Sequence, residues 1–379
     1  MSARILFGMA AGLLAFSVSA DAKPKPAHVF IVVLENESYA TTFSAKSPAV
    51  YLKKLAHKGA LLPNYHGIGH YSLDNYLAMV SGQAPNPVTQ SDCQSFINFD
   101  ATGTDAHGQA IGTGCVYPRS VSTIANQLEA RGLTWKGYME DMGNHPNREH
   151  RRCGHPEIGQ PDGTQKASKG DQYASRHDPF VYFHSIIDRP TCAEHVVNLR
   201  HLARDLRKEE TTPNYVFITP NLCHDGHDGG ENGKKCVDGE PGGLISADKF
   251  LKQTVPEILA SPAYKHDGLL IVTFDEADTG DASACCHEPR PPNIEPGAMV
   301  FENPDKGAGV TGPGGGRIGA VLVSRFIKPG TVSQVAYNHY SQLRSIEDFF
   351  DLPHLGYAGQ KGLKSFGGDV FTERGRRKR

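Results

Sequence analysis

The chain has 379 residues, 39 Lys and Arg against 41 Asp and Glu, a formal net charge of −2 and 39% hydrophobic residues. That balance excludes a global field that would draw in nucleic acid. No apolar run reaches the roughly 20 residues a spanning helix needs, so stable membrane insertion is not expected, and the length suits one α/β enzyme domain with insertions in its loops.

At the start, Arg4, an apolar run over residues 5–18 and then Ala20 and Ala22 in an A-x-A arrangement read as a secretory signal covering 1–22. The expected location is therefore secreted or periplasmic. A single catalytic domain is expected over 23–371, followed by a basic tail, 372–379, that carries Arg374, Arg376, Arg377, Lys378 and Arg379 and reads as a frayed terminus. The 8 cysteines are an even number, which suits disulfides in an oxidising compartment. Cys93 with Cys115 is the preferred local pair, because the two flank a loop rich in Gly, Thr and Asp that a crosslink would hold down.

His28–Leu34, Tyr215–Thr219 and Gly268–Phe274 are short, β-branched and nearly free of alternation, the pattern of strands buried on both faces. Residues 319–323 read as a further strand. Amphipathic helices are expected over 48–57, 122–131, 195–209 and 247–259, with Gly132 placed to end the second. Strands alternating with helices predict a doubly wound, mostly parallel sheet flanked by helices. The stretches 91–116 and 143–178 are long, rich in Gly, Asp, His and Pro, and lack periodicity, so they are expected to be functional or tied down. The glycine-rich run 307–316 has no following Lys-Ser or Lys-Thr pair and reads as a flexible connector rather than a phosphate loop.

In open α/β sheets ligands bind beyond the carboxyl ends of the strands. Here the first buried strand runs into Glu35-Asn36-Glu37, the second leads to Asn221 and then His224, Asp225, His227 and Asp228, and the third ends in Asp275-Glu276-Ala277-Asp278. Three strands thus deliver carboxylates and imidazoles to one edge, a donor set for a hard or borderline divalent cation. Each cluster alone would also serve as a helix cap, but Glu is a poor cap, which leaves Glu35 and Glu276 harder to explain that way. A second signal is His70-Tyr71-Ser72-Leu73-Asp74-Asn75-Tyr76, helical from Leu73 onward, which places Ser72 at the cap or first turn of a helix. Backbone N–H groups there favour a nearby phosphate, although an ordinary capping Ser predicts the same local sequence.

These residues resemble the phosphoesterase family of bacterial acid phosphatases and phospholipases C, within the alkaline-phosphatase-like superfamily. The resemblance covers most of the chain and rests on Glu35-Asn36 with Ser38-Tyr39, on Ser72 through Gly82, and on Tyr138-Met139-Glu140-Asp141. Further likenesses are His177-Asp178-Pro179-Phe180, Ile218-Thr219-Pro220-Asn221 with His224, His227 and Asp228, Phe274-Asp275-Glu276, and Asn338-His339-Tyr340-Ser341. It implies an alkaline-phosphatase-like fold and one divalent metal ion, Mg, Ca, Zn or Mn, held by Glu35, Asn36, Asp275 and Glu276. Ser72 would be the nucleophile, passing through a phosphoserine, with Asn75 on a phosphate oxygen. His227 and His339 would transfer protons, and His224 and His70 would line the phosphate pocket.

The chain departs from many relatives at Ala40, where they carry Asp, and at Asp74, where they carry Pro. Asp74 either adds negative charge near the phosphate or faces solvent. The expected activity is that of a secreted acid phosphatase hydrolysing phosphate monoesters, whether small molecules or lipid head groups such as phosphoinositides. A phospholipase C-type phosphodiesterase is the alternative, disfavoured by polar loops and a single Trp, Trp135. A binding module with zinc on Cys223, His224, His227, Cys236, Cys285, Cys286 and His287 is a third reading, which free thiols would support.

Overall fold

The computed structural model describes residues 25–229, 234–294 and 314–372. The expected signal over 1–22, the first part of the glycine-rich run, 307–313, and the tail beyond Thr372 lie outside the described residues.

The strands are β1 (His28–Leu34), β2 (Ala60–Leu62), β3 (Tyr65–His66), β4 (Asp100–Thr104), β5 (Ala110–Thr113), β6 (Trp135–Met139), β7 (Val196–Asn198), β8 (Tyr215–Thr219), β9 (Gly268–Phe274), β10 (Ala320–Ser324), β11 (Thr331–Val332) and β12 (Tyr337–Asn338). An 8-stranded sheet has the order β11-β2-β10-β9-β1-β8-β6-β7. β1, β8 and β9 are buried over their whole length, as their unbroken apolar sequences require of strands covered on both faces. β1 pairs in parallel with β8 and β9, and β6 in parallel with β7 and β8, while β10 runs antiparallel to β9 and β2. The expected mostly parallel sheet is therefore present. Flanking helices pack in pairs, Val50–Lys58 against Gly243–Ala260 and Ser72–Ser81 against His339–Phe349.

The parallel arrangement places the carboxyl ends of β1, β6, β7, β8 and β9 at one edge, and backbone bonds lock the segments just beyond β1, β8 and β9 to one another. Asp275 N donates to Leu34 O at 2.8 Å, Glu35 N to Asp225 O at 2.8 Å and Glu37 N to Glu276 O at 3.1 Å. The acidic residues of the three segments are thus fixed in mutual register.

The expected helix 195–209 is not a helix. Val196–Asn198 forms β7 on β6, and only short helical turns flank it, Cys192–His195 before it and Leu202–Asp205 after it. Two consecutive valines facing an unpaired sheet edge gain a ladder there, and the Cys153–Cys192 disulfide anchors the approach. The loop 91–116 contains the β4–β5 hairpin, invisible to periodicity because β4 is wholly exposed. Its base is the expected Cys93–Cys115 bridge. The remaining pairs are Cys153–Cys192, Cys223–Cys236 and Cys285–Cys286, and no cysteine is free. The zinc reading fails on this point, since thiolate ligands are absent. The described end of the glycine run is a backing layer rather than a connector: Gly315 N donates to Gly67 O, and a Cβ at Gly315 would lie 2.3 Å from Gly69 O. Among the described residues, no helix is long and apolar enough to cross a membrane.

Candidate active site

Ser72 opens the helix Ser72–Ser81, behind a cap residue, Tyr71, held at φ 76°. A bulky residue in that left-handed region costs on the order of 1–3 kcal/mol, and such strain clusters at functional sites. The turn brings Ser72 Oγ 2.6 Å from Glu35 Oε2, to which it donates. Tyr76 OH, one turn on, donates to Glu35 Oε1 at 2.7 Å. His177 Nε2 lies 3.3 Å from the same oxygen and its Nδ1 4.0 Å from Asp225 Oδ2, with its ring stacked on Tyr76. Glu35 is fully buried. Burial and then the neighbouring Asp275 push its carboxyl well above the usual range, against the bonds from Ser72 and Tyr76.

The other proposed ligands adjoin it. Asn36 N donates to Asp275 Oδ1 at 3.0 Å and Asn36 Nδ2 to Glu276 Oε1 at 2.8 Å, with Asn36 itself at φ 33°. Burial, and then Glu276, push Asp275 well up as well. Asn36 Oδ1 and Asp275 Oδ2 are buried without a hydrogen-bond partner, while Glu276 Oε2 faces His70 Nδ1. Orphaned oxygens beside mutually repelling buried carboxylates fit a hard divalent cation held by Glu35, Asn36, Asp275 and Glu276. Among the described residues, only Cys223, Cys236 and Asp238 bring three His, Cys, Asp or Glu ligand atoms within 4.8 Å of one another. The two sulfurs of that group are bonded to each other and are not ligands. Glu35, Asp275 and Glu276 do not meet that limit as a trio, and Asn36, bonded to both Asp275 and Glu276, offers a further oxygen beside them.

The histidines and Asn75 divide differently from expectation. His70 Nδ1 contacts Glu276 and its Nε2 donates to Asp281 O at 3.0 Å. Burial opposes its imidazolium, but Glu276 outweighs burial and the pKa is raised. His224 Nδ1 lies 2.9 Å from Glu140 Oε1 and its Nε2 3.6 Å from Glu240 Oε2, so both ring nitrogens face carboxylates rather than Ser72. His227 is exposed beside the buried Asp225. Asn75 Nδ2 donates to Gly69 O and Tyr71 O, and its Oδ1 accepts from Ile68 N and Gly69 N, which commits the amide to shaping the loop before Ser72. His339 is the first residue of the helix His339–Phe349, fully buried, with Nε2 donating to Asp275 O at 2.6 Å and Nδ1 3.1 Å from Tyr65 OH. Burial pushes it down to about 4, so at pH 5 to 7 it is neutral. Asp74 does not face solvent: it is 1% exposed, and burial pushes its carboxyl well above the usual range.

Sequence reasoning gives no individual role to Tyr76, Asp92, Arg176 or His177. Tyr76 falls on the apolar face of its helix, and His177 stands out only as part of a motif. Asp92 and Arg176 lie in the two long loops, whose length is the available signal.

The chain is similar to curated acid phosphatases. It is 27% identical to a probable acid phosphatase of Kluyveromyces lactis over 86% of this chain and 59% of that protein. It is 27% identical to a phosphate-repressible acid phosphatase of Penicillium chrysogenum over 80% and 55%. The chain thus spans little more than half the length of these fungal relatives. A phosphatidylinositol-3-phosphatase of Mycobacterium tuberculosis is 24% identical over 94% of this chain and 88% of its own length. Among solved structures, the crystal structure of Ps i-CgsB aligns with 93% of this chain and 77% of that chain at TM-score 0.50 and 12% identity, a likeness of fold. The Phosphoesterase family model matches residues 41–353, so the chain belongs to the phosphoesterase family.

Proposed function

We propose that this protein is an exported, metal-dependent acid phosphatase that hydrolyses phosphate monoesters with Ser72 as covalent nucleophile. The observation that carries the reading is the 2.6 Å bond from Ser72 Oγ to Glu35 at a sheet edge lined with orphaned carboxylate oxygens. A divalent cation on Glu35, Asn36, Asp275 and Glu276 would offset phosphate charge and lower the pKa of the Ser72 hydroxyl. Glu35 Oε2 holds the Ser72 proton, while Tyr76 and His177 fix the carboxyl that receives it. Attack of Ser72 Oγ on phosphorus gives a phosphoserine and releases the alcohol, and water then cleaves the ester to regenerate Ser72. His227, at the exposed rim, is the group suited to protonate the leaving oxygen, which favours mildly acidic pH because imidazolium is required. Export rests on the apolar run and A-x-A arrangement within residues 1–22. The mycobacterial phosphatidylinositol-3-phosphatase among the relatives supports a phosphoinositide head group as one monoester substrate.

The test is a panel of phosphomonoesters and phosphodiesters at several pH values, before chelation, after it, and after re-addition of single metals, with Ser72→Ala in parallel. Wild type should turn over monoesters, lose activity on chelation and recover it. Ser72→Ala should be inactive yet folded, since loss of a hydroxyl at a helix start costs only about 1 kcal/mol. Near-normal turnover by Ser72→Ala would overturn the reading.

A further inference from the structure

The mechanism above leaves one buried cation without a task. Arg176, 9% exposed, belongs to the single turn Ser175–His177, next to the His177 that contacts Glu35. Its Nε lies 3.8 Å from Asp92 Oδ2, while Asp92 Oδ1 accepts from Leu73 N at 3.0 Å, the residue after the nucleophile. Asp92 therefore ties the guanidinium to the first turn of the nucleophile helix. The tie is loose. At 3.8 Å it is an ion contact rather than a hydrogen bond, and among the described residues the guanidinium's hydrogen bond is Nη1 to Gln165 O at 3.2 Å. A guanidinium has five N–H donors in a planar fork, so most of the fork is uncommitted. Its charge is felt by Glu35, Asp225 and Asp228 as well as Asp92, which sets it beside the Ser72 pocket rather than in a separate ion pair.

A purely structural cation buried for the sake of Asp92 would be expected to make a tight bidentate pair, because desolvating both charges is compensated only by excellent geometry. A cation kept slack beside a nucleophile has a different use. A phosphate monoester dianion presents one more anionic oxygen than a diester, and Arg176 approaches the Ser72 pocket from the Asp92 side, with Asp92 bonded to Leu73 N. We infer that Arg176 is a specificity-determining residue that binds the third non-bridging oxygen of a phosphomonoester and so sets monoester over diester preference. This rests on the phosphatase reading above and narrows its substrate class.

The experiment compares wild type, Arg176→Lys and the charge-balanced double variant Asp92→Asn with Arg176→Gln. Substrates are 4-nitrophenyl phosphate and its methyl diester, and inorganic phosphate is the competing inhibitor. A hydrogen bond to a charged group corresponds to roughly ten- to a hundredfold. The double variant should lose that factor in kcat/KM on the monoester and in phosphate affinity, and less than about threefold on the diester, with Arg176→Lys intermediate. The melting temperature of the double variant controls for folding, and Arg176→Lys keeps the inference testable if the double variant unfolds. Equal losses on both substrates, or phosphate inhibition unchanged in a folded variant, would overturn the inference while leaving the phosphatase reading intact. A wild type inactive on every monoester, with or without metals, would overturn both.

Discussion

Tyr76→Phe isolates a single hydroxyl at the centre of the site. Tyr76 is 1% and Glu35 0% exposed, and the 2.7 Å bond between them holds the Glu35 carboxyl together with that from Ser72. The substitution keeps the ring stacked on His177 and edge-on to Phe217. What is lost is a hydrogen bond to a buried ionisable group, about 1.5–3 kcal/mol, and Glu35 Oε1 is left with the weaker His177 contact at 3.3 Å. Partners that orient a metal-ligating carboxylate typically cost about 10–100-fold in metal affinity or activity when removed. In steady-state assays on 4-nitrophenyl phosphate, kcat should therefore fall about 10–100-fold with KM nearly unchanged. Metal titration after chelation should shift to higher concentration. Losing a bond that favours the ionised form also raises Glu35 further, so the acidic limb of the rate profile should move to higher pH. A folded variant with wild-type kcat and an unshifted metal titration would refute the reasoning and return Tyr76 to the core.

Two further outcomes follow from burial. Asp178 and Glu347 are fully buried, and burial pushes their carboxyls up to about 8 and about 9; the folded protein then holds protons that the unfolded chain releases near pH 4, so stability should be greatest below that value and fall as pH rises toward 8–9. Thermal midpoints should be higher at pH 5 than at pH 8.5, with Asp178→Asn and Glu347→Gln flattening the slope, whereas a midpoint rising with pH would contradict the burial argument. His339, neutral and bonded to the Asp275 carbonyl, should act by positioning: His339→Ala should lose equally on 4-nitrophenyl and alkyl phosphates, while His227→Ala should lose more on the alkyl ester, and a leaving-group-dependent loss at His339 would restore it as the acid.

The legible part of the site is the part that strands deliver. Glu35, Asn36, Asp275 and Glu276 come immediately after buried apolar runs, so their edge can be read from the runs alone, and Ser72 can be read from the helical pattern after it. Contacts between loops are not legible. Asp92 and Arg176 are 84 residues apart in sequence and meet where the two long loops, tied by the Cys93–Cys115 and Cys153–Cys192 bridges, come together. β7 escapes a periodicity reading because Leu199, Leu202 and Leu206 continue a helical spacing that three edge residues interrupt. His339 is legible as a site residue but not in its role, since burial and a backbone carbonyl decide its charge and neither is written in the local sequence.

The division between strands and loops also bears on how the site accepts an anion. The strand ends and the loop after β8 contribute Glu35, Asp225, Asp275 and Glu276, all buried, and such a wall by itself repels phosphate, at about 4 kcal/mol per pair of like charges 4 Å apart in a partly polar interior. Pushing the Glu35, Asp225 and Asp275 carboxyls toward their protonated forms removes part of that repulsion but would also remove the basicity that a nucleophilic Ser72 requires. Positive charge placed against the wall would remove the repulsion and keep the carboxylates ionised, and the orphaned oxygens of Asn36 and Asp275 suit a cation better than protons alone. The protein's own basic side chains arrive from outside the sheet: His70 sits against Glu276 from the loop before Ser72, and Arg176 sits beside Asp92 from the loop before His177. The sheet therefore fixes the acids, and segments outside it bring His70 and Arg176 toward them.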